Sequence, residues 1–166
     1  MYKYCKSLTV LLLLFASVVG AQNVLGKQNL KIVDGDSLEL GGRRIRLVGI
    51  DAPEYSQYCF DANNKKYDCG QKSLEYLKKL TKGKAVKCKV KSVDIYGRDL
   101  AICYVDGKSL NLAMVRAGHA ILYRNQKQKY VQAAKEAKAA KRGIYQGRYM
   151  APEIYRRLHK RKKVQN

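Results

Sequence analysis

The chain has 166 residues, which is enough for one domain with a single hydrophobic core. Hydrophobic residues make up 46% of the sequence, and this share excludes a disordered polycation. Lysine and arginine together number 34 against 13 aspartates and glutamates, a formal net charge of +21, so we expect an anionic partner. Nucleic acid is the first candidate, and an anionic membrane or polysaccharide is the second.

The first 21 residues have the pattern of a secretory signal peptide. A basic start, MYKYCK, is followed by the apolar run LTVLLLLFASVVG and by the small residues VGA before Gln22. The apolar run is shorter than the roughly 20 residues that a membrane span needs. We therefore predict that residues 1–21 are cleaved, that no integral membrane segment remains, and that the protein is exported to the periplasm or secreted.

Three short strands follow close together and predict an antiparallel meander. They cover residues 30–33, 37–40 and 43–50, with the turns DGD and GG between them, and the third ends before Pro53. A polar, turn-rich loop is predicted over residues 55–70.

Four cysteines remain after removal of the leader, and an even number in an exported chain predicts two disulfides with three possible connectivities. Their spacing does not suit a zinc site. One pair brackets the loop and could close it. The other pair shares one face of two later strands and forms either a disulfide, which we favour, or two buried free thiols. The four are Cys59, Cys69, Cys88 and Cys103.

The rest of the chain predicts helices around one further hairpin. A helix over 71–83 precedes strands over 84–93 and 98–105, and helices over 109–118 and 126–143 follow. This order predicts an α+β domain over 22–148: an OB-type five-stranded antiparallel β-barrel with about three α-helices. Residues 149–166 form a basic C-terminal extension.

Five of the chain's few acids lie within residues 34–54, together with three arginines. Asp36 and Asp51 lie at the ends of the first and third meander strands, where carboxylates repel one another unless a cation or hydrogen bonds compensate. Oxygen ligands without nearby His or Cys favour Ca²⁺ or Mg²⁺, and Asp34 is close enough to help through water. The alternative is that DGD is only a turn. Glu39, Arg43 and Arg44 are expected to be ordinary hairpin surface.

Two arginines and one glutamate extend this cluster toward phosphate chemistry. Arg46 interrupts the apolar strand beside the acids, and Arg98 in YGRD is a second candidate to grip a phosphate. Glu54, on the rigid turn after Pro53, could accept a proton from an attacking water. The alternative for each arginine is a surface salt bridge with one of the acids.

The segments IVDGDSLEL, RIRLVGIDAPE and DIYGRDLA, in this order and spacing, resemble the staphylococcal nuclease (thermonuclease) family. GKSLNLAMVRAGHA and AAKRGIY are similar to that family's following helices, so the resemblance covers about residues 30–145. It implies an OB-type barrel of five strands with three helices.

The resemblance also assigns roles. It implies calcium ligation by Asp36 and Asp51 and by the backbone carbonyl of Ala52, where Thr is more familiar in the family. It implies that Glu54 is the general base and that Arg46 and Arg98 bind phosphate.

Three features bear on substrate binding and on differences from the family. Tyr96 matches a tyrosine near the nucleotide, although Ile95 precedes it where the best-known member has Lys. Tyr123 is the nearest candidate for a base-stacking tyrosine. The loop with its two cysteines departs from that member.

The sequence thus predicts an exported, monomeric, Ca²⁺-dependent nuclease that hydrolyses DNA and RNA, single-stranded or locally opened, with little sequence preference and leaves 3′-phosphates. The alternative is a non-catalytic basic OB-fold module that binds nucleic acid. A third hypothesis, a cationic surface-binding protein, leaves the acid cluster unexplained. The two histidines, His119 and His159, are expected to have solvated or packing roles.

Overall fold

The structure is a computed structural model that describes residues 28–124 and 127–164. The predicted signal peptide lies outside this range. Among the described residues, no helix has both the length and the apolar character needed to span a bilayer.

The main sheet is built from the predicted meander and the later hairpin. The described residues form ten strands: β1 Leu30–Ile32, β2 Ser37–Leu40, β3 Arg43–Leu47, β4 Ile50–Asp51, β5 Cys59–Phe60, β6 Lys66–Tyr67, β7 Lys87–Val93, β8 Asp99–Val105, β9 Lys108–Ser109 and β10 Ile121–Leu122. The helices are α1 Cys69–Thr81, α2 Leu110–Arg116, α3 Gln128–Ala139 and α4 Pro152–Val164, with a 3₁₀ turn at Gly143–Gln146.

The strand order of the sheet is β1-β2-β3-β8-β7, with β9 added beside β8. All of these pairs are antiparallel except β3 and β8, which run parallel with Leu47 opposite Ala101. A parallel pair needs a long crossover, and here the crossover carries α1. The side chain of Gln28, just before β1, exchanges two hydrogen bonds with the backbone of Val86, just before β7, and so joins the two ends of the sheet. The prediction of an OB-type α+β fold is confirmed.

The third predicted strand is interrupted. Gly49 adopts a positive φ of 82°, so β3 ends at Leu47 and a separate short strand, β4, follows. The second piece pairs with β10, where Asp51 lies opposite Ile121. Because of this break, Asp51 leaves the main sheet and faces the start of β2.

The hydrophobic core lies between the sheet and the first three helices. Leu77 on α1 and Met114 on α2 are fully buried against strand residues such as Leu38, Leu47 and Ala101. Burying each such side chain contributes roughly 1.5–3 kcal/mol. The helix predicted over 126–143 is shorter, because Lys141 adopts a positive φ and the chain turns after α3.

Both predicted disulfides are present. Cys59 pairs with Cys69 and ties β5 to the first residue of α1. Cys88 pairs with Cys103, its register partner across β7 and β8. The first bond closes the loop 60–68 within a small lobe, residues 55–68, whose β5 and β6 form a hairpin. We call it the disulfide lobe.

Most of the predicted basic extension forms α4, and the segment that leads into α4 packs back on the disulfide lobe. The backbone N–H of Phe60 donates to the Arg148 carbonyl at 2.8 Å, and Gln57 Nε2 donates to the Met150 carbonyl at 2.7 Å. Within α4, the Tyr155 hydroxyl donates to the Ser56 carbonyl at 3.0 Å. These contacts fix where α4 begins and which side of it faces the acid cluster.

Candidate active site

The two aspartates predicted to meet do so through Arg46. Arg46 Nη1 donates to Asp36 Oδ1 at 2.9 Å, and its Nη2 donates to Asp51 Oδ1 at 2.7 Å. The other oxygen of Asp36, Oδ2, accepts the backbone N–H of Ala52 at 3.0 Å. Asp36 is 2% exposed and Asp51 1% exposed. The predicted cluster is therefore a buried, hydrogen-bonded group of charges.

The charges of this cluster depend on one another. Burial raises the pKa of Asp36 to about 7; Arg46 opposes the rise, and the Asp34 and Asp51 carboxylates add to it. Burial also disfavours the charged form of Arg46, but Asp36 and Asp51 outweigh that cost and raise the pKa of Arg46. Arg46 therefore stays ionised, while burial makes Asp36 harder to ionise than an exposed aspartate.

The turn that carries Asp36 is shaped by its neighbours. Asp34 Oδ1 accepts the backbone N–H of Asp36 at 2.9 Å, so Asp34 orients the turn. A Cβ at Gly35 would lie 1.9 Å from Ser73 Oγ and 2.8 Å from the Ala52 Cβ. Glycine is needed here for the close approach of the turn to α1.

Glu54 lies at the open side of the cluster. Its side chain is 32% exposed, and its backbone N–H donates to Gln57 Oε1 at 3.2 Å. Gly70, at the start of α1, has no room for a Cβ, which would lie 1.8 Å from the Glu54 carbonyl. The disulfide lobe and α1 therefore hold the Glu54 backbone between them.

Arg156 of α4 is a member of the cluster that sequence reasoning missed. Its Nη1 donates to Asp51 Oδ1 at 2.9 Å and to Glu54 Oε1 at 2.6 Å, while Nη2 donates to Asp51 Oδ2 at 3.1 Å. Burial disfavours its charged form, yet these carboxylates outweigh burial and raise the pKa of Arg156. Tyr155, next to it, is 9% exposed and anchors the helix.

Arg98 and Tyr96 lie on the turn between β7 and β8. Arg98 Nε donates to Asp94 Oδ2 at 2.8 Å, and its guanidinium lies 5.6 Å from the centre of the Tyr96 ring. Tyr96 is 61% exposed and Ile95 92% exposed. Among the described residues, no hydrogen bond or ion pair is found between Arg98 and Asp36, Asp51 or Glu54.

Two arginines expected to be ordinary hairpin surface connect the two hairpins instead. Arg43 forms an ion pair with the buried Asp99 at 2.8 Å. Arg44 Nη2 donates to the Tyr96 carbonyl at 2.7 Å. These contacts fix the position of the turn that carries Arg98 relative to β3.

The remaining predicted residues have structural contacts. Tyr123 follows β10, where its backbone N–H donates to the Gly49 carbonyl at 3.1 Å and Arg124 lies over its ring. His119 stacks on Tyr76 with ring centres 4.5 Å apart, and His159 stacks on Tyr155.

The atoms that the cluster offers as ligands are of the type that hard divalent cations prefer. Asp36, Asp51 and the Ala52 carbonyl offer only oxygen, the ligand type that Ca²⁺ and Mg²⁺ prefer. Within the described part of the chain, no group of three or more His, Cys, Asp or Glu residues is arranged to hold a metal. In the conformation seen, both oxygens of each aspartate accept hydrogen bonds, and two arginines supply the positive charge.

Comparisons with known proteins agree on one family. The family model for staphylococcal nuclease homologues matches residues 44–147, more than half of the chain. The succinoglycan biosynthesis protein ExoI of Rhizobium meliloti (strain 1021) is 32% identical over 128 residues, which are 75% of this chain and 66% of that protein. The chain therefore spans just under two thirds of that relative.

Two bacterial relatives match over more of their own length. A protein of Escherichia coli O157:H7 described as an uncharacterized endonuclease is 35% identical over 147 residues, which are 84% of this chain and 89% of that protein. A protein of Haemophilus influenzae, described in the same words, is 35% identical over 138 residues, which are 78% of this chain and 72% of that protein.

Proposed function

The chain belongs to the staphylococcal nuclease homologue family, and on that premise we propose that it is a Ca²⁺-dependent nuclease that hydrolyses phosphodiester bonds of DNA and RNA. One observation carries this proposal: Arg46 holds Asp36 and Asp51 together in a buried cluster with Glu54 at its open side. Ordinary ion pairs are solvent-exposed, whereas buried carboxylates that perturb one another are typical of functional sites.

The residues of the cluster and Arg98 have distinct roles in the proposed reaction. Asp36, Asp51 and the Ala52 carbonyl would hold the cation, which would supply Lewis-acid stabilisation of charge on the phosphate. Arg46 and Arg98 bind the phosphate oxygens as charge-assisted donors. Arg46 can turn from an aspartate to a phosphate without leaving the cluster, since it uses a different nitrogen for each aspartate.

Glu54 accepts the proton of the attacking water. The water oxygen bonds to phosphorus in line with the 5′-oxygen, the P–O5′ bond breaks, and that oxygen takes up a proton from solvent. The products are a 3′-phosphate and a 5′-hydroxyl. Partial exposure of Glu54 supports this role, because a base must reach water that the buried aspartates do not contact.

The exposed surface is suited to binding a polyanionic substrate through the phosphates of the substrate backbone. β7 exposes a row of lysines, and α3 exposes another, which suits sequence-independent contact with phosphates. Tyr96 and Tyr123 are proposed to contact the bases. We further propose that the protein acts as a monomer in an oxidising compartment, the periplasm or outside the cell, where its two disulfides persist.

Cleavage of a labelled single-stranded oligonucleotide tests the proposal. The mature protein is incubated with Ca²⁺, with a chelator, and as the Glu54→Gln variant; Glu75→Gln, which alters an exposed glutamate of α1, is the matched control. We expect cleavage only with Ca²⁺, a loss of about 10²–10⁴-fold in Glu54→Gln, and no loss in Glu75→Gln. Cleavage that survives both the chelator and Glu54→Gln would sink the mechanism.

The contact of Arg156 favours a second candidate, a basic OB-fold module that binds nucleic acid without cleaving it. Arg156 bonds both Asp51 and Glu54, so the carboxylates needed for hydrolysis are engaged. Tight binding of the oligonucleotide with no cleavage in Ca²⁺ would select this alternative.

A further inference from the structure

Arg156 contacts the same carboxylates that the proposed reaction uses. Its guanidinium donates to both oxygens of Asp51 and to Glu54, with 29% of its side chain exposed. A bidentate bond to a buried carboxylate is a strong charge-assisted interaction. Both carboxylate oxygens of Asp51 therefore already accept hydrogen bonds from a protein cation.

This contact is supported by the whole start of α4 rather than by one flexible side chain. Tyr155, next to Arg156, is buried and bonded to Ser56. Gln57 is fully buried, and its side chain joins Glu54 to Met150: Oε1 accepts the Glu54 N–H and Nε2 donates to the Met150 carbonyl. A Cβ at Gly147 would lie 2.2 Å from the Phe60 carbonyl, so the chain leading into α4 lies directly on the disulfide lobe.

The charges of the cluster explain why α4 is held there. Three carboxylates, those of Asp36, Asp51 and Glu54, face two guanidiniums, those of Arg46 and Arg156. Without Arg156, the three carboxylates would be paired with Arg46 alone. The cluster would then carry a net charge of −2, which a divalent cation would neutralise. Arg156 and such a cation would both compensate the negative charge of these carboxylates.

We propose that Arg156 is a built-in competitor of the metal: α4 closes the acid cluster by binding Asp51 and Glu54, and metal binding at Asp51 releases Arg156 from it. The inference rests on the proposed function, because it takes the cation to bind at these carboxylates. Release of Arg156 also frees Glu54 to accept a proton. The same step that loads the metal would then free the base.

Calorimetric titration of the mature protein with Ca²⁺ tests the competition without measuring activity. Arg156→Gln removes the guanidinium, and Arg157→Gln removes the neighbouring charge on α4, which is exposed and paired with Glu153. We expect Arg156→Gln to bind Ca²⁺ about tenfold more tightly than the wild type, since hydrogen bonds to charged groups no longer have to be broken. Arg157→Gln should stay within about twofold, because its charge lies outside the cluster.

The outcomes separate this inference from the proposed function. Equal Ca²⁺ affinity in the wild type and in Arg156→Gln, or equal tightening in Arg157→Gln, overturns the competition but leaves calcium dependence standing. Weaker binding in Arg156→Gln also overturns it, since Arg156 would then support the metal. Failure of all three proteins to bind Ca²⁺ overturns both proposals together.

Hydrogen exchange on the wild type gives a second readout that needs no variant. Addition of Ca²⁺ should speed amide exchange in α4, residues 152–164, because its anchor at Asp51 is lost. Exchange in α3 should not change and serves as the internal control. Unchanged or slower exchange in α4 on a protein that binds Ca²⁺ would overturn the release of Arg156.

Discussion

At the scale of single residues, the sequence predicts those members of the site that stand out from their local sequence. Asp36, Arg46, Asp51 and Glu54 stand out because acids are rare in this chain and an arginine interrupts an apolar strand. Arg156 could not be found this way, since it lies in a run of basic residues with no sequence feature that distinguishes it from Arg157. Its contacts with Asp51 and Glu54, more than 100 residues away along the chain, distinguish it from Arg157.

Gln57 joins two parts of the structure, so its substitution should lower the stability of the fold. It is buried and bonds both Glu54 and Met150. Gln57→Ala should lower the free energy of unfolding by about 2–3 kcal/mol, because a buried donor and acceptor lose their partner and a cavity forms. Urea denaturation measures the change, with Gln132→Ala, an exposed α3 residue bonded to Glu136, as control. Equal stability of the two variants would show that Gln57 does not hold the lobe and α4 together.

At the scale of elements, the meander and the helices follow from alternation, turn chemistry and helical spacing. The two hairpins and α1 appear where the pattern predicts them. Three features could not be predicted from local sequence: the parallel pairing of β3 with β8, the break at Gly49 and the docking of α4. Each depends on contacts between segments far apart in the chain, and the break and the docking are what complete the site.

The packing of α1 against the turn after α2 gives a pH-dependent prediction. His119 stacks on Tyr76, and burial, with a smaller contribution from Lys72, lowers its pKa to about 4. The unfolded chain binds a proton at His119 below about pH 6.5, but the folded chain does not until about pH 4. His119 therefore contributes full stability above pH 6.5, and that contribution falls as the pH falls toward 4.

His119→Gln should remove this part of the pH dependence. Between pH 6.5 and 4, the wild type should lose stability more steeply than the variant, by up to about 1.4 kcal/mol per pH unit. The raised pKa of Asp36 acts in the opposite direction, favouring the folded state as the pH falls below 7, but both proteins share it and it cancels. Parallel stability curves from denaturant titrations at each pH would contradict the prediction.

At the scale of the whole molecule, a strongly basic chain is organised around one acidic cluster. The formal charge of +21 favours an anionic partner, while the buried carboxylates are compensated by two arginines that lie far apart along the chain. The disulfide lobe connects these ends, since it holds both the Glu54 backbone and the start of α4. Sequence reasoning found the family and the carboxylates, but the three-dimensional fold was needed to show that the C-terminal helix is part of the site.

The most direct test of the central claim is the rate of oligonucleotide cleavage as a function of Ca²⁺ in the wild type and in Asp51→Asn. Asp51 is the carboxylate that Arg46, Arg156 and the proposed cation share, and the amide removes its charge at nearly constant shape. We predict a rate that saturates with Ca²⁺ in the wild type and falls at least about 100-fold in Asp51→Asn, with both proteins folded by circular dichroism. A rate that does not depend on Ca²⁺, or that is equal in the two proteins, would contradict the account.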